Sequence, residues 1–127
     1  MVDLKKYDNI CYQIIGCAMK VHTVLGNGFP EVIYQRALEI ELKKSGLLYD
    51  REKEQPIFYD GILLGHRRVD FLVDGEILVE LKAVAVTDNL NMNQIINYLE
   101  AFNLPVGLLI NFGQNKLDFK RFVNAKH

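Results

Sequence analysis

The chain has 127 residues, half of them apolar, and its 15 Lys and Arg against 16 Asp and Glu leave a formal net charge of −1. That length suits a single domain over residues 1–127 and excludes two comfortable ones, while the near neutrality excludes a generally basic nucleic-acid-coating protein, so any polyanion site has to be a local patch. The apolar runs are too short to span a bilayer, and the opening MVDLKKYDNI lacks the charged-then-apolar form of a secretory leader, so a cytoplasmic chain with no membrane partner is predicted.

Tyr7, Ile10, Ile14, Cys17, Val21 and Val24 recur at three- and four-residue steps, which predicts an amphipathic helix from about Leu4 to Val24. Cys11 and Cys17, the only cysteines, suit neither a four-ligand zinc site nor an iron–sulfur cluster and read as buried reduced thiols. LGNGFPE then breaks the pattern: Gly26, Asn27 and Gly28 permit positive φ, and Pro30 fits the first turn of a second helix that runs to about Ser45 and ends at Gly46. Ile33, Ala37, Ile40 and Leu47 form its predicted apolar side, with Glu39, Glu41, Lys43 and Lys44 on a solvated face. Three apolar-alternating runs follow, turned at Asp60-Gly61 and Asp74-Gly75, and they predict a β-meander whose first strand, carrying Pro56, is an edge or starts irregularly. Thr87 or Asp88 caps a third helix that buries Ile95, Leu99 and Phe102. VGLLINF reads as a strand covered on both faces and LDFKRFV as its more exposed neighbour. The order α-α-β-β-β-α-β-β predicts an α/β sandwich with a central mixed sheet flanked by helices.

The second hairpin, VDFLVDGEILVELKAV, is apolar yet carries Asp70, Glu80 and Lys82, charges that cost several kcal/mol each, in order of magnitude, if buried unpaired. A two-residue loop would pair Asp70 with Val79 and scatter the charges over both faces. A three-residue loop, with Gly75 left-handed, pairs Leu72 with Glu76 and Arg68 with Glu80. It sorts Val69, Phe71, Val73, Ile77, Val79, Leu81 and Ala83 onto one face and Arg68, Asp70, Glu80 and Lys82 onto the other. A uniform apolar face is worth about 1.5–3 kcal/mol per large side chain, so the odd register is predicted. Two carboxylates converging with a lysine are what a divalent-metal hydrolase of phosphodiesters requires, since hard oxygens hold Mg²⁺ and an ammonium beside it orients water. A solvated salt-bridge cluster is the competing explanation.

Asp70 followed by ELK at Glu80-Leu81-Lys82, preceded by G-x-x-E-x-x-Y at Gly28, Glu31 and Tyr34, and followed by Q-x-x-x-Y at Gln94 and Tyr98, resembles the GxxExxY proteins, a branch of the PD-(D/E)XK nuclease superfamily related to RecB-type nucleases. The likeness runs from about His22 to Arg121. It implies a restriction-endonuclease-like fold and a nuclease acting on DNA or RNA. It also implies Mg²⁺ or Mn²⁺ held by Asp70, Glu80 and the Leu81 carbonyl, with Glu31 acting directly or through water. Lys82, Glu31, Gln94 and Tyr98 would serve catalysis, and Arg68, Tyr34, Lys120 and Arg121 would meet the substrate. Arg67 and Lys116 extend the basic approach surface, a thin one, so a second copy or a partner protein is a further expectation. Two cysteines cannot supply the four-cysteine iron–sulfur cluster of some RecB-type nucleases, and Val69 stands where the superfamily has a proline. Two other functions compete: a non-catalytic nucleic-acid-binding or protein-interaction module on the same fold, and a fold with no active site.

Overall fold

The computed structural model describes residues 4–127; the first three residues of the leader reading lie outside them. The elements are α1 (Leu4–Leu25), α2 (Glu31–Lys44), β1 (Tyr49–Tyr59), β2 (Ile62–Val73), β3 (Ile77–Lys82), α3 (Asn89–Ala101), β4 (Val106–Asn111) and β5 (Asp118–Val123). They follow the predicted order. The strands form one mixed sheet in the order β1-β2-β3-β4-β5, with β3 and β4 parallel across the α3 crossover and every other pair antiparallel. On one side α1 and α2 pack against Phe71, Val73, Val79, Leu81, Leu108 and Ile110. On the other, Ile95 and Leu99 of α3 pack against Val69, Leu72, Leu78 and Leu109. No helix among the described residues is long and apolar enough to cross a membrane.

The buried stripe of α2 is not the predicted one, whereas α1 buries Tyr7, Ile14, Cys17 and Val21 of its predicted row. In α2 the core takes Tyr34, Leu38 and Leu42, an i, i+4, i+8 row, while Ile33 and Ile40 are exposed. A row led by a tyrosine can be buried because its hydroxyl is fully used: it donates to the Gly26 carbonyl at 2.6 Å and accepts from the Phe29 N–H at 3.1 Å. In α1 the buried row is Tyr7, Cys11, Ile14, Cys17, Ala18 and Val21, and Val24 lies in solvent. Both cysteines are buried and free. Asp88 caps α3 in a capping box with Asn91.

β1 is the edge strand anticipated from Pro56. With β2 it forms a ribbon that outreaches β3, because β2 pairs with β3 only over Phe71–Val73, and Phe58, Tyr59, Ile62, Leu63 and Leu64 stand exposed at its tip. The Asp60-Gly61 turn has two residues, with φ of 53° and 75°, as a tight hairpin requires. The second turn has three, Asp74 to Glu76, and Val73 pairs with Ile77. The parity is the predicted one, but the register sits two residues further along: Leu72 faces Leu78 rather than Glu76, and continuing the ladder sets Asp70, not Arg68, opposite Glu80.

Candidate active site

The cluster forms where β2 and β3 part. Their ladder ends at Phe71–Val79, so Asp70 and Glu80 are the next residues on strands that no longer bond. On its other side Asp70 has lost its β1 partner: Arg51 pairs with Phe71 and Lys53 with Val69, while Glu52 between them takes a left-handed backbone with φ of 54°. That break also corrects the expected face of Val69, which packs with Leu72 and Leu78 on the α3 side rather than with Phe71. Freed from the ladder, the Asp70 carboxylate accepts the Leu81 N–H on Oδ2 and the Gln35 side-chain amide on Oδ1, both at 2.9 Å. Strand geometry points the N–H and the carbonyl of one residue to the same side, so the Leu81 carbonyl also faces Asp70.

Glu80 is buried. Its Oε1 lies 3.5 Å from the Arg67 guanidinium, an ion-pair distance without hydrogen-bond alignment, and no hydrogen-bond donor among the described residues satisfies it. Burial first, and the adjoining Asp70 carboxylate second, push the Glu80 carboxyl up to about 8, against the pull of Arg67 and Lys82. Glu31, in the first turn of α2, is open to solvent, yet partial desolvation raises its carboxyl above the usual range; Lys82 opposes that shift and Asp70 adds to it. Lys82 therefore acts on Glu31 and Glu80 at once.

Two concavities flank the cluster. On the α2 side Glu31, Val32, Gln35, Glu52 and Asp70 line one of about 250 Å³. On the α3 side Arg67, Glu80, Lys82, Gln94 and Tyr98 converge on a crevice of about 10 Å³. There the Arg67 Nε donates to the Tyr98 hydroxyl at 3.0 Å, with its guanidinium over the Tyr98 ring. The fold thus gathers Glu31, Asp70, Glu80, Leu81, Lys82, Gln94 and Tyr98.

Four expected substrate contacts lie elsewhere or point elsewhere. Tyr34 is fully buried, stacked on Phe112 with ring centroids 4.6 Å apart, and fastens the glycine loop instead. Arg68 turns outward to Glu54, while Arg67, which shares the face of Val69 beyond the break at Asp70, takes the place beside Glu80. Arg121 lies next to Leu108 in the ladder, on the α1 face, and pairs with Asp8 at 2.6 Å. Lys120 shares the face of Glu80 through the register Glu80–Leu109–Lys120, but two strands away and exposed. His22, noted for its place in the resemblance, is buried and bonds the Gln114 carbonyl through Nε2 at 2.8 Å, closing α1 onto the β4–β5 loop. Gln35 escaped sequence reasoning altogether, although its place four residues after Glu31 puts it on the same helix face.

A hard dication needs oxygen donors and, for Mg²⁺, tolerates one or two carboxylates with water completing the octahedron. No three His, Cys, Asp or Glu side chains among the described residues converge tightly enough to hold a metal by themselves. The oxygens brought together here are those of two adjoining carboxyl groups and of a backbone carbonyl that strand geometry turns to the same side. The Glu80 Oε1, buried beside a second carboxyl group and without a hydrogen-bond donor among the described residues, fits a cation that would displace its proton.

A family model for the PD-(D/E)XK nuclease superfamily matches residues 8–122, a span that holds the whole cluster. Among solved structures, the crystal structure of SSO0001 is similar at a TM-score of 0.57 and 20% identity, covering 93% of this chain and 59% of that one. At that identity the likeness is one of fold. No curated protein matches the sequence at a significant level.

Proposed function

This chain belongs to the PD-(D/E)XK nuclease superfamily, and we propose that it is a metal-dependent nuclease that hydrolyses phosphodiester bonds in DNA or RNA at the Asp70–Glu80–Lys82 cluster. The observation that carries this reading is the Glu80 carboxyl buried against Asp70, whose Oε1 has the Arg67 guanidinium at 3.5 Å but no hydrogen-bond donor among the described residues. Asp70, Glu80 and the Leu81 carbonyl would hold Mg²⁺ or Mn²⁺, with Glu31 reaching it directly or through water. Bound there, the cation would polarise the scissile phosphate and offset the charge that develops in the transition state. Lys82 orients the attacking water between Glu31 and Glu80. The planar fork of Arg67, steadied by Tyr98, suits a phosphate oxygen pair, and Gln94 supplies a neutral amide beside it. The G-x-x-E-x-x-Y and Q-x-x-x-Y runs support placing the chain in the GxxExxY branch near the RecB-type nucleases.

A non-catalytic binding module is the second reading. It is favoured by one observation, the Arg67 guanidinium beside Glu80, which stands in part for a cation. The two readings separate on a panel of labelled single- and double-stranded DNA and RNA, incubated with repurified protein and Mg²⁺ or Mn²⁺. A nuclease gives cation-dependent cleavage that Glu80→Gln abolishes, with weaker cation binding by calorimetry. Absence of both cleavage and cation binding returns the cluster to the module.

A further inference from the structure

Among the described residues, Gln35 is the buried polar side chain of the first helical layer that bonds to the cluster. It is 5% exposed, on the same face of α2 as Glu31. Its Nε2 donates to Asp70 Oδ1 at 2.9 Å, while its Oε1 is buried and meets no donor among the described residues. The orientation of the amide follows from its partner: the Asp70 oxygens accept from the Leu81 N–H and from Gln35, so the NH₂ end faces Asp70.

A buried acceptor without a partner costs about 1–3 kcal/mol, as much as one hydrogen bond returns. For folding alone, an apolar side chain of the same length would serve at least as well beside Tyr34, Leu38 and Leu42. What that apolar side chain lacks is the grip on Asp70. Asp70 needs one, because it has lost its ladder partners on both β1 and β3, and its carboxylate accepts from Gln35 and the Leu81 N–H while adjoining the Glu80 carboxyl. Glu31 lies one turn before Gln35, so the same turn of α2 carries one acidic group of the site and restrains another.

We propose that Gln35 is a positioning residue: it fixes the Asp70 carboxylate in the orientation that receives a divalent cation, at the expense of the stability of the cation-free fold. This rests on the cation site proposed above. Groups that orient a metal's ligands typically account for about 10–100-fold in affinity, and Gln35 occupies that position with respect to Asp70.

Calorimetric titration with Mn²⁺ alone, beside thermal melts of the cation-free protein, tests the assignment on four proteins: the parent, Asp70→Ala, Gln35→Met and Gln35→His. Gln35→Met should melt no lower than the parent, since it removes the orphaned acceptor, yet bind Mn²⁺ about 10-fold or more weakly. Gln35→His, which keeps a ring N–H at similar reach, should recover part of that affinity. Parent-like Mn²⁺ binding in Gln35→Met overturns the positioning role, and so does a melting temperature well below the parent's, which would make Gln35 a structural residue. Equal Mn²⁺ affinity in the parent and Asp70→Ala removes the cation site itself, and the role of Gln35 with it. Tight binding lost in Asp70→Ala but kept in Gln35→Met removes Gln35 alone.

Discussion

Burial and the adjoining Asp70 raise the Glu80 carboxyl from an ordinary 4.5 to about 8, which ties this residue to the pH dependence of folding. Between those two values the folded, cation-free protein holds a proton that the unfolded chain releases. The stability it confers is complete below about 4.5, drains away as pH climbs to about 8, and stays flat above. Glu80→Gln cannot ionise and loses the slope. Without divalent ions it should outlast the parent above pH 8 by about 2–5 kcal/mol, and match it near pH 4.5. Denaturant melts across that range decide the point, and a parent curve as flat as the variant's would mean that Glu80 ionises freely in the fold. At this scale Asp70, Glu80 and Lys82 stood out because an apolar hairpin has little other use for three charges, whereas Glu31, Gln94 and Tyr98 were pointed to only by the family resemblance. Tyr34 and Arg121 misled because a tyrosine and an arginine serve packing and ion pairs as readily as phosphates. Gln35 was invisible because its role depends on a contact 35 positions away in the chain.

The elements that present these residues depend on close backbone approaches. After Lys82 the chain leaves β3 and is tied to β4 by Asn111, which is fully buried and bonds both the N–H and the carbonyl of Val84 at 3.0 and 2.9 Å. Gly113 lies against the same segment, where a Cβ would come within 2.3 Å of the Val84 carbonyl oxygen and 2.4 Å of its nitrogen. Backbone cannot rotate aside as a side chain can. Gly113→Ala should therefore displace the loop beyond Lys82 and cost about 2 kcal/mol or more, a magnitude set by analogy with overpacked sites. Chemical denaturation measures the loss, and a variant as stable as the parent would show that the loop gives way easily. Hairpin parity was legible in the second turn, because only an odd loop sorts the apolar residues, but the register within that parity was not. It is set by the left-handed Asp74 and Gly75 and the Glu76 N–H bonded to Val73, and alternation carries no trace of these. The stripe of α2 was misread for a related reason, since exposed isoleucines at positions 33 and 40 imitate a core row that Tyr34, Leu38 and Leu42 in fact supply.

For the molecule as a whole, element order and the mixed sheet followed from periodicity, and the family match covers residues 8–122. The parting of β2 and β3 did not, because it arises where a break opposite Glu52 meets the end of another ladder, a feature of strands already assembled. That parting sets two carboxylates, a lysine and a clamped arginine between the α2 layer and the α3 layer, in a chain whose net charge of −1 gives no general pull on polyanions. A salt-bridge cluster would use Lys82 only as a counter-charge, whereas a catalytic centre uses it to orient water. The most direct test is Lys82→Ala, purified afresh beside the parent and followed in two assays, Mn²⁺ binding by calorimetry and cleavage of whichever labelled nucleic acid the parent cuts. Removing a like charge from the cation's surroundings should leave affinity equal or tighter, while turnover falls by about 100-fold or more, the scale of a lost proton-handling or water-orienting group. Cleavage by Lys82→Ala at the parent's rate would contradict the account, because the cluster would then not be where the chemistry occurs.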